Sequence, residues 1–397
     1  MQKRTQVGIV GAGPAGLTLA LLLARDGIDS VVLERRSRDE VEHALRAGVL
    51  EQAIVDLMAD LKVGARIRRE GLVHHGILLR FGGETHRIDF QGLAGRAVTV
   101  YPQHKVLQDL IAARLAQGGD ILFDVQNVQF TDVTTTPAIH FSRAGEQIDL
   151  QCDFIAGCDG SRSVARSYVP AQLRRELFRA YPFAWLGILM EAPPSTQELI
   201  YAYHERGFAL VSTRSPELQR LYIQCPMEDD IATWSDDRIL DELRQRLTTT
   251  DNWQLRVGPI TQKSILPMRS FVLEPMQFGK LFLAGDAAHT VPATGAKGLN
   301  LAVADVYHLS RAFAAFYAEQ RTELLEGYSG RCAQRVWRAE HFSWWMTSML
   351  HRFPDDDAFQ QRLQRAQLDY TVRSPAAATS LAENYVGLPL DWEHHCP

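Results

Sequence analysis

The sequence predicts an α/β protein in which a doubly wound nucleotide-binding part is interrupted by an antiparallel sheet and closed by a C-terminal helical region. Three observations predict this fold. A strand, a helix and a second strand follow one another from residue 6. Short alternating apolar segments replace this pattern near Tyr181, and apolar residues at helical spacing dominate from Leu299 onward. The predicted domains are 1–175, 176–290 and 291–391, followed by a tail at 392–397.

The first predicted unit is a β-α-β crossover. Residues 6–10 form an apolar run typical of a buried strand, Pro14–Arg25 has helical apolar spacing, and Ser30–Leu33 is a second apolar run. A helix that connects two neighbouring strands in this way pairs them in parallel. A further buried strand is predicted over 154–156, and it ends at Gly157-Cys158-Asp159-Gly160.

From about residue 181 to residue 265 the pattern is that of an antiparallel sheet. Turn-rich pieces such as Pro193-Pro194 separate short segments of alternating polarity, which are typical of antiparallel rather than parallel strands. One amphipathic helix is predicted within this part at 234–247, and a buried strand returns at Leu281–Leu283. The predicted strands are 185–190, 198–203, 208–213 and 221–224.

Composition and charge are those of a globular enzyme. The 397 residues are 46% hydrophobic and 22% charged, and a formal net charge of −5 provides no basic field for a nucleic-acid partner. The longest apolar stretch near the start, 19–24, is too short to span a bilayer. The five cysteines are odd in number and include no C-x-x-C pair, which argues against disulfides or a zinc site. We therefore expect a cytoplasmic protein without nucleic-acid, membrane or metal partners.

A glycine-rich turn lies between the first strand and the first helix. Gly11, Gly13 and Gly16 form G-x-G-x-x-G, which permits a tight turn and brings backbone N–H groups close to a pyrophosphate. Glu34 ends the second strand, where its carboxylate can hold ribose hydroxyls. Strand, turn, helix and acid together predict a Rossmann-like dinucleotide site. This motif alone does not separate FAD from NAD.

A second motif favours FAD. Asp286 follows the strand Leu281–Leu283 directly, where a carboxylate can accept a ribityl hydroxyl. The segment from Thr294 to Asn300 then leads into a helix whose N-terminal dipole can stabilise negative charge on a reduced flavin. With Asp159-Gly160, the chain carries three spaced motifs that together point to one large group of flavoproteins.

These motifs and four longer segments resemble the class A flavoprotein aromatic hydroxylases, and the resemblance extends from Gln6 to Asp391. It implies a glutathione-reductase-like FAD fold, FAD as cofactor, NADH or NADPH as co-substrate, and a cytoplasmic homodimer acting in aromatic compound degradation. The implied reaction is the ortho hydroxylation of 4-hydroxybenzoate to 3,4-dihydroxybenzoate by O2, through a flavin C4a-hydroperoxide. The segments are 46–52 (RAGVLEQ), 181–187 (YPFAWLG), 342–348 (FSWWMTS) and 383–389 (ENYVGLP).

One end of the expected substrate pocket carries a cation and hydroxyl groups. Ser212 and Arg214 lie two residues apart on a predicted strand, so their side chains share a face. A guanidinium can bind a planar carboxylate through two parallel bonds, and hydroxyl groups can add further bonds. The resemblance assigns Ser212, Arg214 and Tyr222 to the benzoate carboxylate.

The other end of the pocket is expected to carry two phenols. The resemblance assigns Tyr201 to the phenolic oxygen of the substrate and places Tyr385 behind it, so that a phenolate is stabilised by hydrogen bonds. It assigns His74 to the surface end of a proton relay, where a near-neutral pKa suits proton release. It also places the carbonyl of residue 293 on the substrate phenol. Relatives commonly carry Pro-Pro here, whereas this chain has Pro292-Ala293.

The resemblance also assigns flavin contacts along the chain. Lys297 and Asn300 are expected to favour the reduced flavin, Arg220 to position it, and Arg46 to contact its phosphates, although the Arg usual two residues earlier is Ala44 here. The expected flavin contacts are Gly11, Gly13, Ala15, Gly16, Glu34, Arg46, Gln103, Asp159, Arg220, Asp286, Lys297, Leu299 and Asn300.

The choice of nicotinamide is expected to depend on the segment after the second strand. Glu40 is expected to repel a 2′-phosphate and to pair with Arg36 four residues earlier, so NADH should be accepted at least as well as NADPH. The expected NAD(P)H contacts are Arg35, Arg36, Glu40, Arg162 and Arg269. Two alternatives stay open: the same chemistry on 3-hydroxy- or 4-aminobenzoate, and a catalytically idle flavin-binding sensor.

Overall fold

A computed structural model of the chain describes residues 2–44 and 48–391. The predicted flavin contact Arg46 and the predicted tail at 392–397 lie outside the described residues. The strands are β1 Gln2–Val10, β2 Ser30–Leu33, β3 Val49–Glu51, β4 Leu72–His74, β5 Gly76–Phe81, β6 Glu84–Asp89, β7 Val98–Val100, β8 Asp120–Leu122, β9 Gln126–Thr131, β10 Ala138–Arg143, β11 Glu146–Gly157, β12 Arg175–Glu191, β13 Ile200–Ala202, β14 Ala209–Ser215, β15 Leu218–Cys225, β16 Ile260–Glu274, β17 Gln277–Phe278, β18 Leu281–Leu283 and β19 His289–Thr290.

The helices include the predicted first helix with the bounds expected from its sequence. The α-helices are α1 Pro14–Arg25, α2 Arg38–His43, α3 Gln52–Asp60, α4 Ala65–Glu70, α5 Phe90–Ala94, α6 Gln103–Ala116, α7 Asp236–Arg246, α8 Gly298–Glu319, α9 Glu323–Glu326, α10 Tyr328–Leu350, α11 Ala358–Arg373 and α12 Pro375–Val386. Short 3₁₀ turns occur at Ala165–Tyr168, Ile231–Thr233, Gly285–Ala287 and Ala293–Gly295. Among the described residues, no helix combines the length and apolar character needed to cross a bilayer.

The first sheet carries the predicted crossover. Its order is β17-β18-β11-β1-β2-β8, and β1 pairs in parallel with both β2 and β11, while β18 pairs in parallel with β11. Helix α1 begins with Pro14 at its first turn and buries every residue from Ala15 to Leu23, so it is a fully enclosed helix between the sheet and α8. The carboxyl ends of β1, β11 and β18 therefore meet at one edge, which is where ligands bind in such sheets.

The second sheet is mixed rather than purely antiparallel. Its order is β19-β16-β12-β15-β14-β13-β5-β6, and β13 pairs in parallel with β5. The hairpin of β5 and β6 comes from the segment before residue 176, so the predicted boundary at 175 does not separate the two sheets in the chain. The predicted helix at 234–247 is confirmed as α7, which Ser235 caps through its hydroxyl, and the 3₁₀ turn Ile231–Thr233 lies before it. A third sheet, β3-β7-β4, and helices α10 to α12 cover the second sheet.

Candidate active site

Two glycines of the glycine-rich turn are required by close packing, and the third borders open space. Gly11 has φ +109°, and a Cβ there would lie 2.2 Å from the Cys158 carbonyl oxygen. A Cβ on Gly16 would lie 2.0 Å from the Gly11 carbonyl oxygen, so this glycine permits the close packing of α1 on β1. Around the Cβ position of Gly13 no described atom lies within 4 Å. The N-terminus of α1, with Ala15 buried in its first turn, can therefore receive a pyrophosphate.

Glu34 is fixed beside this turn at the end of β2. Its Oε2 accepts a hydrogen bond from the Ala12 backbone N–H at 2.8 Å, and its Oε1 accepts bonds from the backbone N–H and Nε of Arg36, both at 3.0 Å. The carboxylate is buried and fixed next to the expected ribose position. The expected pairing of Arg36 with Glu40 is wrong, because α2 begins only at Arg38 and the two residues do not share a helix.

The Asp159 and Asp286 turns meet at the same edge. Asp159 accepts bonds from the backbone N–H groups of Val164 and Ala165 and from the Ser163 hydroxyl, so its carboxylate organises its own turn. Arg166 in that turn donates to the backbone carbonyl of Asp286 at 2.9 Å. The half-buried Asp286 side chain is thus held at the end of β18, where the ribityl chain of a flavin is expected.

At the start of α8, a buried lysine is paired with a carboxylate. Lys297 is buried and donates to Glu51 Oε1 at 2.6 Å and to the Tyr385 carbonyl at 2.8 Å. Burial lowers the pKa of Lys297, and Glu51 opposes that shift. The positive charge of Lys297 is therefore paired with Glu51, and its expected role toward a reduced flavin, like that of the α8 N-terminus beside Leu299, stays a prediction. The Asn300 amide donates to the carbonyl of Val49 and accepts from Glu51 N–H, which anchors β3 to α8.

These residues fit FAD. Open space at Gly13, an acid at the end of β2, a second acid at the end of β18 and a helix N-terminus lie around the carboxyl edge of one sheet. Gln103 is half-buried at the first position of α6. The backbone before it is tightly packed, since a Cβ on Gly48 would lie 2.0 Å from the Tyr101 carbonyl oxygen. When bound, FAD would supply the redox chemistry that activates O2, with Glu34 and Asp286 holding its sugar-like groups.

The expected carboxylate end of the substrate pocket is a polar face of the second sheet. The register places Ser212 of β14 opposite Arg220 of β15, so Ser212, Arg220 and Tyr222 project from one face, and Arg214, at the irregularity after Thr213, lies near Tyr222 and Arg220. The Ser212 hydroxyl and Arg214 Nη1 are buried and have no hydrogen-bond partner among the described residues. Burial lowers the pKa of Arg214, and the neighbouring Tyr222 opposes that shift. A buried donor pair without an acceptor fits an anionic ligand.

The phenol end is a buried pair of tyrosines. The hydroxyl oxygens of Tyr201 and Tyr385 lie 2.7 Å apart, and both side chains are at most 2% exposed. Burial raises the pKa of Tyr385 to about 12 and that of Tyr201 well above its ordinary value. Both phenols are therefore neutral near pH 7 and can pass a proton along their hydrogen bond. The two phenols are thus hydrogen-bonded to each other, and their expected contact with a substrate phenol stays a prediction.

A backbone carbonyl of the 3₁₀ turn at 293–295 accepts a hydrogen bond from Tyr201. The Tyr201 hydroxyl donates to the carbonyl of Thr294 at 3.3 Å. The carbonyl of Ala293 accepts a bond from Ala296 N–H at 3.0 Å within the 3₁₀ turn, and the Ala293 side chain is exposed. The carbonyl that accepts from Tyr201 is therefore that of Thr294, and the expected contact of the Ala293 carbonyl with the substrate phenol stays a prediction.

His74 is not a surface group. It ends β4, is 1% exposed, and neither ring nitrogen has a hydrogen-bond partner among the described residues. Burial lowers the pKa of His74 to about 4, with Glu198 opposing and Arg214 adding to the shift. The expected near-neutral pKa and surface position are both wrong, because the last residue of an edge strand here is covered by its surroundings.

The expected nicotinamide residues are mostly exposed. Arg35, Arg162 and Arg269 lie at the surface, whereas Arg36 is paired with Glu34. Glu40 closes a capping box at the start of α2, since Ser37 N–H donates to its Oε2 at 2.8 Å. That bond, more than the arginines nearby, lowers the pKa of Glu40. An ionised carboxylate therefore stands on the surface that a nicotinamide dinucleotide would approach.

The sequence interpretation missed three residues that shape the site. Gly187 of β12 lies opposite Tyr222, and a Cβ there would lie 2.7 Å from Arg220 Nη2. A glycine inside a strand indicates such a close approach. The Asp305 carboxylate accepts Gly285 N–H at 2.8 Å and contacts His289 Nε2 at 2.6 Å, which fixes the turn of Asp286. Thr294 carries no comparable sequence signal.

Comparisons with known proteins identify the class. The sequence matches the FAD binding domain family over residues 4–343, and the chain belongs to the FAD-dependent aromatic monooxygenases. It is 47% identical over 389 residues to the p-hydroxybenzoate hydroxylase of Acinetobacter baylyi, covering 98% of this chain and 96% of that protein. A flavin-dependent monooxygenase of Mycobacteroides abscessus is 25% identical over 81% of this chain and 70% of its own length.

A solved structure has the same fold. The p-nitrophenol 4-monooxygenase of Pseudomonas putida superposes with a TM-score of 0.83 at 19% identity, covering 98% of this chain and 99% of that chain. The predicted α/β architecture with C-terminal helices and the predicted use of FAD with NAD(P)H are confirmed.

Proposed function

We propose that this monooxygenase converts 4-hydroxybenzoate to 3,4-dihydroxybenzoate, consuming O2 and one NAD(P)H and releasing water. The observation that carries the proposal is that two chemically different ends lie on one face of the second sheet, where Tyr201, Leu210 and Tyr222 are in register. Ser212 and Arg214 offer buried donors without an acceptor, and Tyr201 and Tyr385 form a buried phenol pair. A benzoate with a para hydroxyl is complementary to both ends. The 47% identity to a p-hydroxybenzoate hydroxylase supports the same substrate.

At the carboxylate end, the protein binds and orients the ring. Arg214 can bind the carboxylate through parallel N–H bonds, and the Ser212 and Tyr222 hydroxyls can add two more. The substrate carboxylate would replace the solvation that burial removes from Arg214. Because the clamp is fixed on two paired strands and the benzoate ring is rigid, holding the carboxylate also fixes the position of the reacting carbon in the site.

At the phenol end, the protein moves a proton. The substrate hydroxyl would donate to Tyr201, whose own proton would turn from the Thr294 carbonyl to Tyr385 across the 2.7 Å contact. Loss of the phenol proton raises electron density at the ortho carbon, which then attacks electrophilic oxygen more readily. Bound FAD supplies that activated oxygen after reduction by NAD(P)H.

One assay separates this function from the alternatives. NAD(P)H oxidation by the purified flavoprotein should be stimulated by 4-hydroxybenzoate and should yield 3,4-dihydroxybenzoate. Product from 3-hydroxy- or 4-aminobenzoate with none from 4-hydroxybenzoate would assign the chemistry to another benzoate. Flavin binding without any stimulated oxidation would indicate a sensor.

For the nicotinamide, we propose that NADH is used at least as well as NADPH. The ionised Glu40 opposes a 2′-phosphate, while Arg36 and Arg38 are paired with Glu34 and Glu42. Glu40→Gln keeps the capping geometry and removes the charge, so it should raise the ratio of kcat/KM for NADPH to that for NADH several-fold. Asp39→Asn on the same helix is the control for a general charge change and should leave the ratio unchanged. A strong NADPH preference in the unaltered enzyme would refute the proposal.

For assembly, we propose a homodimer formed through the C-terminal helices. Phe359, Leu363 and Tyr370 of α11 are 70%, 56% and 62% exposed, and their spacing places them on one helix face. Another copy of this face would cover it. Sedimentation should give a dimer, and Leu363→Asp should shift it to monomer, whereas Gln361→Asp should not. A monomer at all concentrations would contradict this. We also propose a cytoplasmic location, which cell fractionation tests.

A further inference from the structure

One turn of α10 lies behind both ends of the substrate pocket. The hydroxyls of Thr294 and Thr347 are joined by a 2.8 Å hydrogen bond. One turn later, His351 Nδ1 lies 3.0 Å from the Thr347 carbonyl oxygen, and Trp185 donates its indole N–H to His351 Nε2 at 2.7 Å. All four residues are at most 3% exposed. They form a continuous hydrogen-bonded chain through the core, named here the α10 chain.

We propose that Thr347 and His351 are positioning residues that fix the separation between the phenol-binding and carboxylate-binding ends of the pocket. The inference rests on the proposed function and deepens it. Through the α10 chain, these two residues would set the preference for a substrate whose hydroxyl lies para to the carboxylate.

The phenol end is attached through Thr294. Its carbonyl accepts the Tyr201 hydroxyl proton, and its side chain is held by Thr347. The 3₁₀ turn is pressed onto α10, since a Cβ on Gly295 would lie 2.3 Å from Ser343 Oγ. The Thr347 hydroxyl also bonds to the Ser343 carbonyl at 2.7 Å, which limits its rotation. Movement of Thr347 would therefore move the acceptor that faces Tyr201.

The carboxylate end is attached through aromatic rings. The Trp185 ring lies 4.9 Å from that of Tyr222 and 5.1 Å from that of Phe208. The His351 ring stacks on Phe208 at 4.3 Å, and Phe208 in turn lies 6.0 Å from Tyr201. Tyr201 and Tyr222, which would contact the two ends of the substrate, therefore pack on one aromatic cluster of Phe208, Trp185 and His351.

The hydrogen bonds of His351 fix its tautomer. An indole N–H can only donate, so Nε2 must accept and the ring proton must lie on Nδ1, which donates to Thr347. Burial lowers the pKa of His351 to about 3, so the ring stays neutral wherever the enzyme is assayed. The chain is a fixed support rather than a group that exchanges protons during turnover.

The test removes one hydroxyl of the chain. Thr347→Val should lower the product formed per NAD(P)H several-fold and raise the KM for 4-hydroxybenzoate. It should also raise kcat/KM for 4-hydroxyphenylacetate, which is one methylene longer, relative to that for 4-hydroxybenzoate. Thr347→Ser should restore all three. Thr371→Val is the matched control, because Thr371 is equally buried but lies on α11 and bonds to Gln367.

A second variant changes the α10 chain at another residue, so the test does not depend on the folding of Thr347→Val alone. Trp185→Phe keeps an aromatic ring and removes the donor to His351, and it should change the substrate ratio in the same direction. Trp234→Phe is its control, since Trp234 is also 3% exposed and donates its N–H to Asp229. A spectroscopic measurement supports both variants: the pKa of the bound phenol, followed by phenolate absorbance, should rise in Thr347→Val and not in the controls.

The outcomes separate the two proposals. If the unaltered enzyme forms no product from 4-hydroxybenzoate, the proposed function fails. If it does, and flavin-loaded Thr347→Val and Trp185→Phe keep its substrate ratio, yield and bound-phenol pKa, only the positioning role is overturned.

Discussion

Arg214→Ala is expected to raise the dissociation constant for 4-hydroxybenzoate by about 100-fold or more. Hydrogen bonds to charged groups are worth about 1.5–3 kcal/mol each, and the substitution removes both bonds of a bidentate contact. The buried Ser212 hydroxyl would then face a carboxylate that has lost its bidentate partner. Equilibrium titration of the substrate, followed by the flavin absorbance, measures the change.

Two further variants test the geometry of this contact. Arg214→Lys keeps the charge but loses the planar pair of donors, so its effect should be intermediate. Arg244→Ala removes an exposed arginine of α7 and should leave the affinity unchanged. FAD content should be normal in all three, because neither Arg214 nor Arg244 is among the expected flavin contacts. Wild-type affinity in Arg214→Ala would refute the assignment of the carboxylate end.

The second large effect is expected for Tyr201→Phe, which should bind the substrate and oxidise NAD(P)H but release hydrogen peroxide instead of product. Without the hydroxyl at 2.7 Å from Tyr385, the substrate phenol has no route for its proton. Positioned proton transfer contributes about 10²–10⁴-fold, so hydroxylation should fall behind peroxide release. Product and peroxide formed per NAD(P)H are the measured quantities.

The partner tyrosine and an exposed tyrosine serve as comparisons. Tyr385→Phe interrupts the same route one step later and should also lower the yield. Tyr370→Phe changes a residue that is 62% exposed and should behave as wild type. A product yield near wild type in Tyr201→Phe would show that another group takes the phenol proton.

Local patterns were sufficient for the parts of the fold that depend on neighbouring residues. The bounds of α1, β2 and β18 follow from apolar runs that end at glycines, acids or Pro14, and the structure has them where the sequence predicts. The pairing of Tyr201 with Tyr385, 184 residues apart, was available only through the family resemblance. No spacing within the chain indicates it.

The sequence does not indicate contacts between residues far apart in the chain, or burial that depends on tertiary packing. Lys297 meets Glu51 across 246 residues, and nothing near Lys297 in the sequence indicates that its charge is compensated. His74 ends an edge strand, and its pKa of about 4 results from the segments that cover it. The expected i,i+4 pairing of Arg36 with Glu40 does not form, because α2 begins only at Arg38 and Arg36 lies before it.

The parallel pairing of β13 with β5 has a consequence for synthesis of the chain on the ribosome. The hairpin of Gly76–Phe81 and Glu84–Asp89 emerges long before Ile200–Ala202, its partner in the second sheet. Until then one edge of the hairpin is unpaired. Ile77, Leu79 and Phe81, all nearly fully buried in the finished protein, also lack the later segments that pack on them. The first sheet is incomplete at that stage too, because β18 and α8 emerge later still. A chaperone that binds the nascent hairpin would therefore favour the native sheet over aggregation.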